Sequence, residues 1–238
     1  IGDLKQGWAS YLNWRRLEVS SGIKHPGIRD NIPLWDGQSA QGKTIFVVEE
    51  KGFGDTLMFY RYIHWLKQKG ANPLLLSAPA HTRLFQALKD VPMGDDGSYD
   101  VHYQVPLFSL VGHYHQHHAE IPPLMNQLEI DDQTQAKWNK LISSDKKLRV
   151  GVCWAARIGD VFAIHMYKRG IPFGVFSELF EVKNVEFYSF VVDAQWQNEE
   201  VTKLTNCHDL SSALHDFYET AAAMKQMDLI ITVDTAAA

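Results

Sequence analysis

One stretch limits what this chain can become more than any other: Lys-Thr-Ile-Phe-Val-Val-Glu-Glu-Lys-Gly-Phe-Gly-Asp-Thr-Leu, at residues 43–57. Four successive apolar residues, Ile45, Phe46, Val47 and Val48, suit a strand covered on both faces, as in a parallel sheet. Gly52 and Gly54 then allow a turn that other residues would resist, and Asp55 is placed to cap the helix that follows. Phe59, Tyr62, Ile63 and Leu66 recur at the spacing of one helical face, with Gly70 as its stop. The stretch predicts a strand, a glycine turn and a helix. In such units ligands bind outside the carboxyl end of the strand, so the turn is the first candidate site.

The alternation continues. Further strands are predicted at 74–77, 100–105, 148–154, 185–192 and 228–234, and helices at 81–88, 106–114, 131–142, 173–180 and 214–227. The fold class is therefore α/β, with parallel sheets flanked by helices, and the restart at Leu148 divides it near Lys146. Ahead of this, Leu4, Trp8, Tyr11, Leu12 and Arg15 lie at helical spacing, and Trp8, Tyr11 and Trp14 give that helix more aromatic surface than it can bury alone. It is expected to pack on something outside the sequence. Residues 20–42 read as a linker. The chain opens at Ile1 and stops at Ala238 just after residues 228–234, which read as a central buried strand, so a piece cut at both ends is expected.

Composition narrows the function. At 238 residues and 45% hydrophobic content the chain can hold one large domain or two small ones. The net charge of -5, without a basic run, gives no reason to expect nucleic acid or an anionic membrane as partner. No apolar run is long enough to span a bilayer and no signal peptide opens the chain, so a cytoplasmic location is expected. Cys153 and Cys207 form no ligand pattern and read as reduced core thiols.

Three motifs tempt and misfit. Residues 37–44 match GxxxxGK[ST], but a phosphate loop needs a strand before it and a helix after it, and here that order is reversed. Gly52-Phe53-Gly54 lacks the third glycine of a dinucleotide fingerprint, since Leu57 stands there, and the strand at 74–77 ends without the acid that would hold a ribose. His113, His115, His117 and His118 lie too close together for all to face one ion, and read as a solvated helix end or loop. At the end of the chain, Asp234 and Thr235 followed by small residues fit either a phosphate-binding helix start or a plain N-cap pair.

Read together, Gly7-Trp-Ala-Ser-Tyr-Leu-Asn-Trp-Arg15, Trp35-Asp-Gly37, Gly42-Lys-Thr44, Glu50-Lys-Gly-Phe-Gly-Asp-Thr56, Arg61-Tyr62, Val150-Gly-Val-Cys-Trp-Ala155 and Asp228-Leu-Ile-Ile-Thr-Val-Asp-Thr235 resemble the glycosyltransferase-like region that follows tetratricopeptide repeats in many bacterial proteins. That region is similar to the ADP-heptose:lipopolysaccharide heptosyltransferases. The resemblance implies two Rossmann-like units facing each other across a cleft, the GT-B arrangement, the second truncated. It divides the chain into 1–42, a helix and linker ending a repeat region; 43–146, an acceptor-side unit; and 147–238, part of a nucleotide-sugar unit.

The activity implied is transfer of a sugar from a nucleotide-sugar donor to an unknown glycan or protein acceptor, inverting and metal-independent, with no cofactor. Asp55 is the implied base. Gly52, Gly54, Thr56 and Trp154 are implied substrate contacts, Lys168 and Arg169 hold the donor diphosphate, and Asp234 and Thr235 meet the donor sugar and phosphate. Protein partners would be met through the repeats. Two rival functions are a binding or scaffold module that transfers nothing and, on residues 37–44 alone, a P-loop hydrolase.

Overall fold

The computed structural model describes residues 2–23, 27–50, 52–89, 92–94, 99–123, 128–142, 147–155, 170–192 and 200–238. They form two compact units, Ile1–Leu128 and Glu129–Ala238. Each is a mixed α/β unit around its own parallel sheet.

In the first unit, helix α1 (Leu4–Ser20) precedes β1 (Thr44–Val48), α2 (Phe53–Phe59), a tighter 3-10 turn at Tyr60–Tyr62 and α3 (Ile63–Gln68). Then come β2 (Asn72–Leu76), α4 (Pro79–Leu88), β3 (Tyr103–Pro106) and α5 (Leu107–His115). The strands are ordered β2-β1-β3, with Val47 opposite both Leu75 and Val105. The continuous apolar run of β1 is explained by this place: Ile45 to Val48 are all buried because the strand is central and covered on both faces. Gly70 ends α3 at φ +77, where its N–H reaches Lys67 O at 2.8 Å and the next N–H, of Ala71, reaches Leu66 O.

Helix α1 belongs to this unit and does not await an outside partner along its whole surface. Trp8 and Tyr11 pack edge-on against Phe59 and Phe108, and Trp8 stacks on His115. Only the far side matches the sequence expectation, with Trp14 44% exposed. Helices α1 and α5 approach so closely at Gly112 that a Cβ there would lie 2.7 Å from Leu12 Cγ.

The described part of the linker is tied down as well. Pro33 O accepts the Gln104 N–H and Trp35 N–H reaches Gln104 O, so this segment pairs along the open edge of β3. The fully buried Gln104 amide side chain bonds the backbone of Arg29 and Ile32 besides.

The second unit contains α6 (Asp132–Leu141), β4 (Leu148–Cys153), α7 (Phe173–Phe176) with a 3-10 turn at Ser177–Glu181, β5 (Val185–Ser189), β6 (Cys207–Asp209), α8 (Phe217–Met224) and β7 (Leu229–Thr232). The strand order is β6-β5-β4-β7. The units divide at Leu128 and Glu129, upstream of Lys146, and the reason lies in α6. Trp138 and Ile142 are part of the second core, and the buried Trp138 indole N–H donates to Glu219 at 2.7 Å. Strand β7 was expected to be central; it pairs with β4 alone among the described strands, and Leu229 is 47% exposed.

Candidate functional site

In a parallel sheet every strand ends at the same edge and hands the chain to a helix whose first N–H groups have no acceptor within the helix. At this carboxyl edge of the first sheet, a carboxylate of the chain itself takes up one N–H at the start of each of three helices. Glu49, directly after β1, accepts the N–H of Ala78, the N-cap of α4, at 2.8 Å. Its neighbour Glu50 accepts the N–H of Phe108 in the first turn of α5 at 3.0 Å. Asp55 accepts the N–H of Gly52, the N-cap of α2, at 3.1 Å.

Each carboxylate is held further. Glu49 takes hydroxyl bonds from Thr56 at 3.2 Å and Ser77 at 2.5 Å, and lies 2.8 Å from Nδ1 of His81, whose ring stacks on Phe53 at 4.0 Å. Glu50 is paired with Arg15 at 2.7 Å, and Arg15 is shared with Glu18 at 3.3 Å. Asp55 differs from both. It is half-buried, one oxygen is engaged by Gly52, and Oδ1 accepts nothing from the described residues. A carboxylate fixed through one oxygen and open at the other is arranged to accept a proton or a hydroxyl hydrogen bond.

Several expectations for this turn need correction. Gly52, not Asp55, is the N-cap of α2, and Asp55 is the third helical residue reaching back to it. Gly52 has φ -86 and ψ 162, ordinary extended backbone, and a Cβ there would meet nothing nearer than Asp55 Oδ2 at 3.5 Å. Gly54 lies within α2 without a positive φ. Neither glycine is required by a positive φ. Thr56 is fully buried with its hydroxyl on Glu49, so it supports a carboxylate and does not face a substrate.

The second unit offers a different chemistry at the end of β4 and β7. Thr235 Oγ1 lies 3.3 Å from Thr232 Oγ1 and accepts the Ala237 N–H at 3.3 Å, while Val233 N–H continues the sheet to Cys153 O at 2.9 Å. The Cys153 thiol sits against these hydroxyls. Burial pushes its pKa up, and hydrogen bonds from Thr235 and Thr232 oppose that rise. Asp234 is exposed, and its carboxylate has no partner among the described residues. Trp154, expected at the substrate, is fully buried against Phe173, Phe176 and Phe180, and its carbonyl accepts the Ile171 N–H. Lys168 and Arg169 lie outside the described residues.

Residues 37–44 do not form a phosphate loop. Gly42 and Lys43 donate to Gly70 O and Ala40 O, and Thr44 opens β1, so a strand stands where the helix would have to start. The histidine run is solvated only at its end, where His117 and His118 are exposed. His113 and His115 are buried on α5, because α1 covers that helix; His113 meets Trp35 edge-on and His115 bonds the Tyr62 hydroxyl at 2.8 Å. Among the described residues no group of three or more His, Cys, Asp or Glu side chains could hold a metal ion. No described helix is long and apolar enough to cross a membrane.

Compared with known proteins, the sequence matches no family model and no curated protein. The fold has a solved counterpart. The structure of E. coli ADP-heptose LPS heptosyltransferase II superposes with a TM-score of 0.59 over 81% of this chain and 80% of that one, at 15% sequence identity. The chain thus has the parallel-sheet α/β fold of a GT-B-like protein.

Proposed function

We propose that the protein is a glycosyltransferase that moves a sugar from a nucleotide-sugar donor to an acceptor hydroxyl. The fold it shares with a heptosyltransferase supports the class. The observation that carries the reading is Asp55, held at the carboxyl edge of the first sheet with one oxygen engaged and the other open. In this reading Asp55 takes the proton from the acceptor hydroxyl while that oxygen attacks the anomeric carbon. The bond from that carbon to the diphosphate oxygen breaks, the nucleoside diphosphate leaves, and the single displacement inverts the anomeric centre.

The first unit is the acceptor side and the second holds the donor, with Thr235 and Asp234 at the end of β7 toward sugar and phosphate. Lys168 and Arg169 stabilise the leaving diphosphate without a metal ion. The reading is tested by incubating the protein with a panel of nucleotide sugars and following release of nucleoside diphosphate. Consumption of one donor with a glycosylated product supports it. Saturable donor binding with no consumption would leave a binding module, and no donor binding at millimolar concentration would remove both.

A further inference from the structure

We propose that the exposed turn at residues 36–38 is a proton-operated cover over His113, closed at neutral pH and lifted from the ring in mildly acidic solution. The device lies within the first unit and stands whether or not the protein transfers a sugar.

The geometry sets His113 apart from its neighbour. His115, two residues along α5, has both ring nitrogens bonded, to the Tyr62 hydroxyl at 2.8 Å and to His118 O at 3.0 Å. His113 is deeply buried too, at 4% exposure, yet among the described residues no hydrogen bond reaches its ring. A buried polar group without a partner needs a reason to be there. Its cover is thin on one side only. Helix α1 closes over α5 with Leu12 against Gly112 and Trp8 on His115, and Trp35 stands edge-on to the His113 ring and packs against Trp65. Beyond Trp35 the cover is backbone: Gly37, at φ +103, lies so near that a Cβ there would be 3.3 Å from Nδ1. Asp36, Gly37 and Gln38 are exposed, while Trp35 before them and Ala40 after them are buried.

The turn is closed by its own bonds. Gln38 O accepts the Trp35 indole N–H at 2.9 Å, and the Gln38 side chain accepts the Asp36 N–H at 2.7 Å. Among the described residues no other hydrogen bond ties residues 36–38 to the rest of the unit. Lifting the turn therefore breaks one bond, from the indole, and leaves the packing of Trp35 and α1 in place. A proton on His113 makes the ring a cation. Burial is the main opponent of that charge; Arg16 on α1 and His117 on α5 add to it and Asp36 on the turn works against it, and together they hold the pKa down at about 4. Water can reach the cation at least cost where the cover has fewest bonds, and that is the turn.

The experiment follows hydrogen exchange of the Trp35 indole N–H in the full chain from pH 7 to 5, corrected for the intrinsic rate, with the β1 amides as the reference for opening of the whole unit. The indole N–H should open roughly twentyfold more often at pH 5 than at pH 7, and low urea should barely change it, since little surface is uncovered. Indole exchange that matches the β1 amides in rate and in urea dependence would overturn the proposal, because the whole unit would then be opening. So would proton uptake by the His113 ring with the protection of the indole N–H unchanged. His113→Gln should remove the pH dependence at the indole, and a folded variant that keeps it refutes the role of the imidazole. Gly37→Ala sets a Cβ against Nδ1 at a strained φ, so it should hold the turn off and let His113 titrate near 6.5, read from the NMR signals of the ring. A folded Gly37→Ala protein whose ring still titrates near 4 contradicts the proposal; where that variant does not fold, the His113→Gln comparison decides.

Discussion

His113 should make the first unit lose stability in mildly acidic solution. The ring is 4% exposed, set edge-on to Trp35 at 5.0 Å, and α5 is covered by α1. Burial pushes its pKa from 6.5 down to about 4; the nearby charges of Arg16 and His117 add to that shift and Asp36 opposes it. The sign follows directly. Between pH 6.5 and 4 the unfolded chain takes up a proton at this position that the folded chain refuses, so stability is full above pH 6.5 and falls as the pH drops toward 4. From these two values the loss is about 2 kcal/mol at pH 5 and about 3 kcal/mol at pH 4, relative to neutral. Hydrogen exchange of the β1 and α5 amides from pH 7 to 4.5 measures it unit by unit, with His113→Gln as the non-titrating comparison. The variant should be less stable than wild type at pH 7, through the lost ring contact, and the gap should close as the pH falls. A gap that stays constant over the range would refute the argument.

Other substitutions test the packing. Gly112→Ala places a Cβ 2.7 Å from Leu12 Cγ and should cost about 1–3 kcal/mol in thermal unfolding, by forcing α1 away from α5. Glu219→Ala removes the acceptor of the buried Trp138 indole N–H and should cost about 1–3 kcal/mol in denaturant unfolding of the second unit. Gly52→Ala, at an extended position with an open Cβ, should leave stability within about 0.5 kcal/mol, and a larger loss by calorimetry would show that the turn needs glycine after all.

What could be read from the sequence followed from what is local. The four apolar residues of β1 declare a central parallel strand without help from elsewhere, and Asp55 is marked by the turn it follows. Strand β6 is three residues, Cys-His-Asp, and too short and polar to show a period. The histidines of α5 look solvated because nothing nearby in the chain says that α1, a hundred or so residues earlier, lies over them. Glu49 and Glu50 were the least legible part of the site. Their partners are 29, 35 and 58 residues away: the sheet brings Ala78 and Phe108 to them, and the packing of α1 on α5 brings Arg15. The signal was there in another form: two acids ending an otherwise apolar strand need a reason to stand next to a core.

The most direct test of the account is Asp55→Asn, assayed for transfer and for donor binding in the same preparation with a donor that supports turnover. Asparagine can still accept the Gly52 N–H, so the fold should be kept within about 1 kcal/mol, and donor binding in the second unit should be unchanged. Transfer should fall by roughly a hundredfold to ten-thousandfold, the usual cost of losing a general base. Transfer at the wild-type rate would contradict the account and leave Asp55 as a helix-capping residue alone.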